Sequence, residues 1–170
     1  MAVTMYSAGT YVPFFNKVQT SDAGDTRKFD LNPYFGIGTQ LPMSGPHYFM
    51  PEFGYAYFME PATNTRKDMF FLHYNFAYTF SESLIWRYGL TTHWYRLMGL
   101  GGTQTLDNGN STTEFNSPDR TVITYFTTLN LGAEFFINRE MSLRFDLNMM
   151  NSNDLEDRAY NYLFTLNFYR

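Results

Sequence analysis

Phe70-Phe71-Leu72-His73-Tyr74-Asn75-Phe76-Ala77-Tyr78-Thr79-Phe80 carries a large apolar side chain at every even position, with mostly small or polar residues (His73, Asn75, Ala77, Thr79) between. Successive side chains of a strand point to opposite faces, so this two-residue period describes a strand with one greasy face. The period returns along the chain and predicts strands near residues 2–14, 29–41, 48–59, 69–81, 84–97, 121–137, 141–150 and 159–169. Their connections alternate long and short: Phe15 to Lys28, Pro42 to His47, Glu60 to Asp68, Glu82 and Ser83, Met98 to Arg120, Asn138 to Glu140, and Asn151 to Arg158. Eight strands with both chain ends on the short-turn side form an antiparallel up-and-down transmembrane β-barrel, with short periplasmic turns and longer extracellular loops. Strands of about 10 to 13 residues suit a tilted crossing of the hydrocarbon.

The bulk properties agree. The 170 residues suit one domain, expected to span 1–170, because no linker or composition break divides them. Hydrophobic residues make up 44% of the chain, yet mean hydropathy is only -0.34. No stretch approaches the roughly 18 consecutive apolar residues a spanning helix needs. Aromatics reach 20% and charged residues only 16%, with lysine confined to Lys17, Lys28 and Lys67, so much of the surface is expected to face something other than water. Cysteine is absent, which excludes disulfides and thiolate chemistry and suits an oxidising periplasm. The N-terminus lacks the basic flank and apolar core of a signal peptide, so an exported protein would be represented here in mature form. A net charge of -4 without a basic stripe excludes nucleic acid as a partner.

Parity assigns the faces. The expected lipid face holds Phe35 and Ile37; Phe49, Phe53, Tyr55 and Tyr57; the even positions of Phe70 to Phe80; Leu84, Trp86, Tyr88, Leu90 and Trp94; Ile123, Tyr125, Leu129, Leu131 and Phe135; Leu143, Phe145, Leu147 and Met149; and Tyr160, Tyr162, Phe164, Leu166 and Phe168. The first strand is ambiguous. Phe80, Trp86 and Phe168 at the turn end and Phe70, Trp94 and Tyr160 at the loop end form two expected aromatic girdles. A soluble barrel with its apolar face inside would carry Lys and Glu outside, but the second face here carries Gly36, Gly38, Gly54, Ala56, Ala77, Gly89, Gly132 and many Thr and Asn. Small residues are what the narrow interior of an eight-stranded barrel requires.

With this loop rhythm and the alternating last strand Tyr160-Asn161-Tyr162-Leu163-Phe164-Thr165-Leu166-Asn167-Phe168-Tyr169-Arg170, the whole chain resembles the small eight-stranded bacterial outer-membrane proteins typified by the OmpA transmembrane domain, OmpX, OmpW and the opacity-type surface proteins. The resemblance implies location in the outer membrane, contact with its lipids and lipopolysaccharide, and the barrel-assembly machinery as a biogenesis partner. The family's terminal strand usually ends on an aromatic, whereas here Arg170 follows Tyr169.

The strand charges Asp30, Glu52, Arg87, Glu134, Arg144 and Asp146 all fall on the expected lumen face, where pairing makes burial tolerable. Pairing about Asn138 to Glu140 sets Glu134 opposite or diagonal to Arg144, with Arg87 at a similar height. Such a network either fills the barrel or forms a polar path for a small solute. Placing Phe80 beside Trp86 and Tyr78 beside Tyr88 sets His73 directly opposite His93, a lumen pair with no third or fourth ligand for a metal; no metal or cofactor is expected. Arg96, beside Trp94 on the outward parity, is read as an interfacial anchor or a contact to lipopolysaccharide phosphate. The outer acids Asp154, Glu156 and Asp157 are read as solvated. The first functional reading is a non-enzymatic surface or structural barrel with a side-chain-plugged lumen, its extracellular partner unidentified. The second is a narrow channel or OmpW-like transporter for small or apolar solutes, and the third a lipid A-modifying barrel enzyme. The third is disfavoured because barrel deacylases and palmitoyltransferases imply a His with Ser and an acid near the outer leaflet: His93 is followed by Trp94 and Tyr95, and His47 sits at the periplasmic turn.

Overall fold

The computed structural model describes residues 2–13, 31–58, 65–107, 112–116, 118–151 and 159–170. Strands β1 (Val3–Val12), β2 (Asn32–Pro42), β3 (His47–Tyr57), β4 (Thr65–Ser81), β5 (Leu84–Gly99), β8 (Thr121–Phe136), β9 (Met141–Met150) and β10 (Ala159–Tyr169) close into one antiparallel barrel; β6 (Thr103–Asp107) and β7 (Thr112–Asn116) form a separate two-stranded sheet. Every neighbour in the barrel is a neighbour in sequence except at two places: β1 pairs with β10 to close the ring, and β5 pairs with β8 across the β6–β7 hairpin. Closure leaves no sheet edge to meet hydrocarbon, as a membrane barrel requires.

Three expectations are corrected. The long polar connection from Met98 to Arg120 contains the β6–β7 hairpin, whose five-residue strands are too short to show a period. The β4 and β5 strands extend past their expected starts and ends, to Thr65 and Gly99. Finally, the β4–β5 register is two residues from the expected one: the ladder begins with Ser81 opposite Leu84, one residue off, and a bulge between Thr79 and Ser81 leaves Phe80 out and adds the second, so Tyr78 faces Trp86 and Phe76 faces Tyr88. A bulge inserts an unpaired residue and shifts everything beyond it. A two-residue slip keeps each side chain on its face but changes its partner. His73 therefore faces Thr91, and His93 faces Phe71; the two histidines are not opposite each other.

Among the described residues the face assignment holds, and the first strand acquires one: Met5, Ser7 and Tyr11 point inward and are buried, while Tyr6 points outward. Outside, Phe35, Tyr125 and Phe80 are each more than 60% exposed, whereas Arg87, Glu134 and Asp146 are at most 1% exposed inside. A water-soluble domain has the reverse arrangement. The inversion identifies a membrane-spanning barrel, because a lipid exterior takes apolar side chains and a closed interior takes paired polar ones.

Inside, the lumen is layered. At the turn end Met5, Met50, Ala77, Ile85 and Tyr169 form one apolar cluster, with Val3, Tyr48 and Phe136 packed on it. At the loop end Tyr11, Tyr34, Ala56, Met69, Phe71 and Leu163 form another, joined by Phe58, Tyr95 and Phe126. Between the two lies the polar layer.

Candidate functional site

The polar layer is built from inward positions of β3, β5, β8 and β9. Arg87 Nη1 donates to Glu134 Oε2 at 2.9 Å, and Arg144 Nε donates to Asp146 Oδ2 at 2.7 Å. Arg144 Nη1 also crosses the barrel to Glu52 Oε2. Longer contacts at 3.8 Å join Arg87 Nη2 to Glu52 and Arg87 Nε to Asp146, so five side chains form one connected set, all with fully buried side chains. Two guanidinium groups face three carboxylates, and neutral donors supply the rest. Tyr34 Oη donates to Glu52 Oε1 at 2.8 Å, while Ser142, Asn167 (2.9 Å) and Tyr169 donate to Glu134 Oε1. Buried charges held by both counter-charges and hydrogen bonds are the tolerated kind.

Glu134 and Arg144 are direct cross-strand neighbours, as the turn predicts. They are nevertheless not ion-paired to each other. Arg87 reaches across to Glu134 from β5, freeing Arg144 to span the lumen to β3. Of the expected lumen charges, Asp30 alone lies outside the described residues, as do Asp154, Glu156 and Asp157.

Space for this layer comes from glycine. A Cβ on Gly132 would lie 2.0 Å from Asp146 Oδ1, and one on Gly54 would lie 2.2 Å from Tyr34 Oη and 2.6 Å from its ring carbons. Gly54→Ala is accordingly expected to push Tyr34 off Glu52, costing about 1 to 3 kcal/mol in urea unfolding from lipid vesicles. Unchanged stability would mean that Tyr34 is not held against β3.

The histidines are separated in role as well as in register. His73 Nε2 lies 3.1 Å from Tyr34 Oη and Nδ1 lies 2.8 Å from Thr91 Oγ1. Because the single Tyr34 proton goes to Glu52, His73 Nε2 is the donor and Nδ1 the acceptor, which ties the ring into the polar layer. His93 sits nearer the loop end, stacked on Phe126 at 4.5 Å, edge-on to Phe71 at 5.0 Å, with Nε2 at 2.9 Å from Thr128 Oγ1. Thr128 donates to the Thr91 carbonyl, so His93 Nε2 donates to Thr128 and does not act as a base toward it. Among the described residues no group of three His, Cys, Asp or Glu is placed to hold a metal.

On the exterior, the girdle residues Phe80, Trp86 and Phe168 stand exposed near the turn end, and Phe70, Trp94 and Tyr160 are half-buried toward the loop end. Trp94 lies between Phe70 and Tyr125 in the ladder. Arg96 is held by Asp68, with Nε 2.8 Å from Oδ1, and its guanidinium lies 5.4 Å from the Phe70 ring centre. Its charge thus has a carboxylate partner within the protein, which the parity pattern could not reveal. His47 packs beside Tyr78 at the turn end, 5.2 Å between rings.

Neisserial surface protein A superposes with a TM-score of 0.55 at 9% identity, covering 99% of this chain and 95% of that one. Ail, the attachment invasion locus protein of Yersinia pestis, gives 0.50 at 9% identity with the same coverage, and 0.53 at 8% in its complex with the heparin analogue sucrose octasulfate. The fold is that of the small outer-membrane β-barrels. At such identities the likeness between this barrel and those two speaks to the fold alone. No protein-family model matches the sequence, and no curated protein matches it.

Pattern reading of this small barrel found the charges but missed the groups that hold them. Tyr34, Ser142, Asn167 and Tyr169 all sit on inward parity, and Asn130, Asn148 and Asn161 form a further inward chain with 2.8 Å bonds. Their signal was present in the alternation of β9 and β10, where Ser142, Asn148, Asn161, Thr165 and Asn167 share the face of Arg144.

Proposed function

We propose that this chain is an integral protein of the bacterial outer membrane, a non-enzymatic surface or structural protein whose barrel is a plugged anchor. The observation that carries the reading is the ionic layer: Glu52, Arg87, Glu134, Arg144 and Asp146 tie β3, β5, β8 and β9 together across the lumen, with apolar clusters above and below. A permeating ion or solute would have to break contacts between fully buried charges, and the interior of an eight-stranded barrel leaves little room beside them. Turns at one end and long connections at the other fit an extracellular position for the β6–β7 hairpin, the side on which a surface protein would make its contacts. Outer-membrane lipids and lipopolysaccharide are the partners that the apolar exterior and its aromatic girdles fit, and the alternating last strand fits recognition by the barrel-assembly machinery. The non-enzymatic reading draws on His93, whose ring nitrogen donates to Thr128 and whose ring is stacked on Phe126 with Phe71 packed edge-to-face beside it.

Single-channel recording in planar bilayers tests the plug. Refolded protein, its β-structure verified by circular dichroism, is expected to give no steady conductance. A steady wild-type current that Glu134→Ala/Arg144→Ala alters would indicate a water-filled lumen and overturn the reading in favour of transport.

A further inference from the structure

Above the ionic layer, the loop-end mouth of the lumen encloses a cavity of about 350 Å³ walled by Tyr11, Pro13, Phe58, Met69, Tyr95 and Phe126. Among the described residues those walls carry no charged side chain. Their rings meet edge to face: Tyr11 and Phe58 at 6.0 Å, Phe58 and Tyr95 at 5.8 Å, Tyr11 and Phe71 at 5.1 Å. Such an array offers both ring faces and ring edges to an incoming aromatic group. The volume lies at the lower end of the range for small-molecule sites, roughly 300 to 1,000 Å³.

One atom in this wall is unexplained. The hydroxyls of the buried lumen residues Tyr34 and Tyr169 donate to Glu52 and Glu134, but the Tyr11 hydroxyl, equally buried, has no hydrogen-bond partner among the described residues. Leaving a buried donor unpaired costs free energy that an acceptor would recover. The turn-end cluster contains no comparable orphan hydroxyl among its described residues.

We infer that this chamber is a binding site for a small, uncharged aromatic molecule carrying a hydrogen-bond acceptor, its ring packed among Phe58, Tyr95 and Phe126 and its acceptor met by the Tyr11 hydroxyl, which is sealed from solvent in this structure and turns toward the ligand on binding. A charged ligand would lose its hydration among apolar walls without gaining a counter-charge. The cavity lies in the loop-end cluster, apart from the ionic layer, and the inference goes beyond the plugged-anchor reading.

Methionine methyl NMR separates binding from partition into lipid. Met69 lines the chamber, whereas Met5 and Met50 are buried in the opposite cluster and serve as internal references. Titrating acetophenone into the 13C-methyl-labelled protein in nanodiscs is expected to shift Met69 saturably and leave Met5 and Met50 in place. Phe126→Ala should weaken that binding about tenfold. Tyr11→Phe should abolish the preference for acetophenone over ethylbenzene, which has the ring but no acceptor. A Met69 response that never saturates, or that Met5 and Met50 share, would overturn the site. Saturable binding indifferent to Phe126→Ala, or equal for the two probes in the wild type, would overturn the ligand class.

Discussion

Arg144→Met is expected to lower the stability of the folded barrel by about 3 to 5 kcal/mol, read from urea unfolding in lipid vesicles. Methionine keeps much of the stem volume of arginine, so the loss would be electrostatic in origin and not a cavity. Arg144 donates to Asp146 at 2.7 Å and to Glu52 across the lumen, and both carboxylates are buried beyond the reach of water. With Arg144 gone, the only counter-charge left to each is Arg87 at 3.8 Å, whose close partner is Glu134, and Glu52 keeps besides only the neutral Tyr34 donor. Removing one member of a buried ionic set leaves uncompensated charge, whereas removing the set can be nearly neutral. The triple variant Glu52→Gln/Arg144→Met/Asp146→Asn should therefore recover most of the loss. A triple variant as unstable as Arg144→Met would mean that the arginine acts by packing, and the ionic account of the layer would fail.

The same layer marks where the sequence stops being legible. Which face each charge occupies follows from parity alone, because one wrong residue on the lipid side is expensive and the period is strict. The short turn narrows Glu134 to a place opposite or diagonal to Arg144, and the structure shows the two directly opposite. What parity cannot supply is which guanidinium reaches which carboxylate: Arg87 reaches Glu134, and Arg144 reaches Glu52 from 92 positions away in sequence. That choice depends on barrel closure and side-chain length in three dimensions. The histidine register failed for two local reasons: the turn closes with Ser81 opposite Leu84, one residue from the expected pairing, and the bulge at Phe80, in a run that alternates without interruption and so gives no warning, adds a second. The aromatic chamber was hidden for a third reason. Its walls come from inward positions of several strands and from Pro13 and Phe58 just past strand ends, and inward Phe or Tyr looks like an exception to alternation until the barrel brings such residues together.

Phe76→Arg tests the exterior as Arg144→Met tests the interior. Phe76 is 38% exposed on the outer face, with Phe49 at 5.3 Å and Tyr88 at 6.0 Å between ring centres. Flanked on both neighbouring strands by outward aromatics, it has no acid on its face to receive a guanidinium, unlike Arg96 beside Asp68. An arginine there must either enter hydrocarbon or draw the headgroup region inward, at a cost of about 2 to 4 kcal/mol near the bilayer midplane. Urea unfolding from phosphatidylcholine vesicles should show that loss, while Phe76→Leu, which stays apolar, should cost much less. The decisive comparison is solvent: if the outer face met water, a long charged side chain at a position this exposed would be tolerated within about 0.5 kcal/mol. Near-neutrality of Phe76→Arg in vesicles would therefore overturn the assignment of the outer face to lipid on which the membrane reading rests.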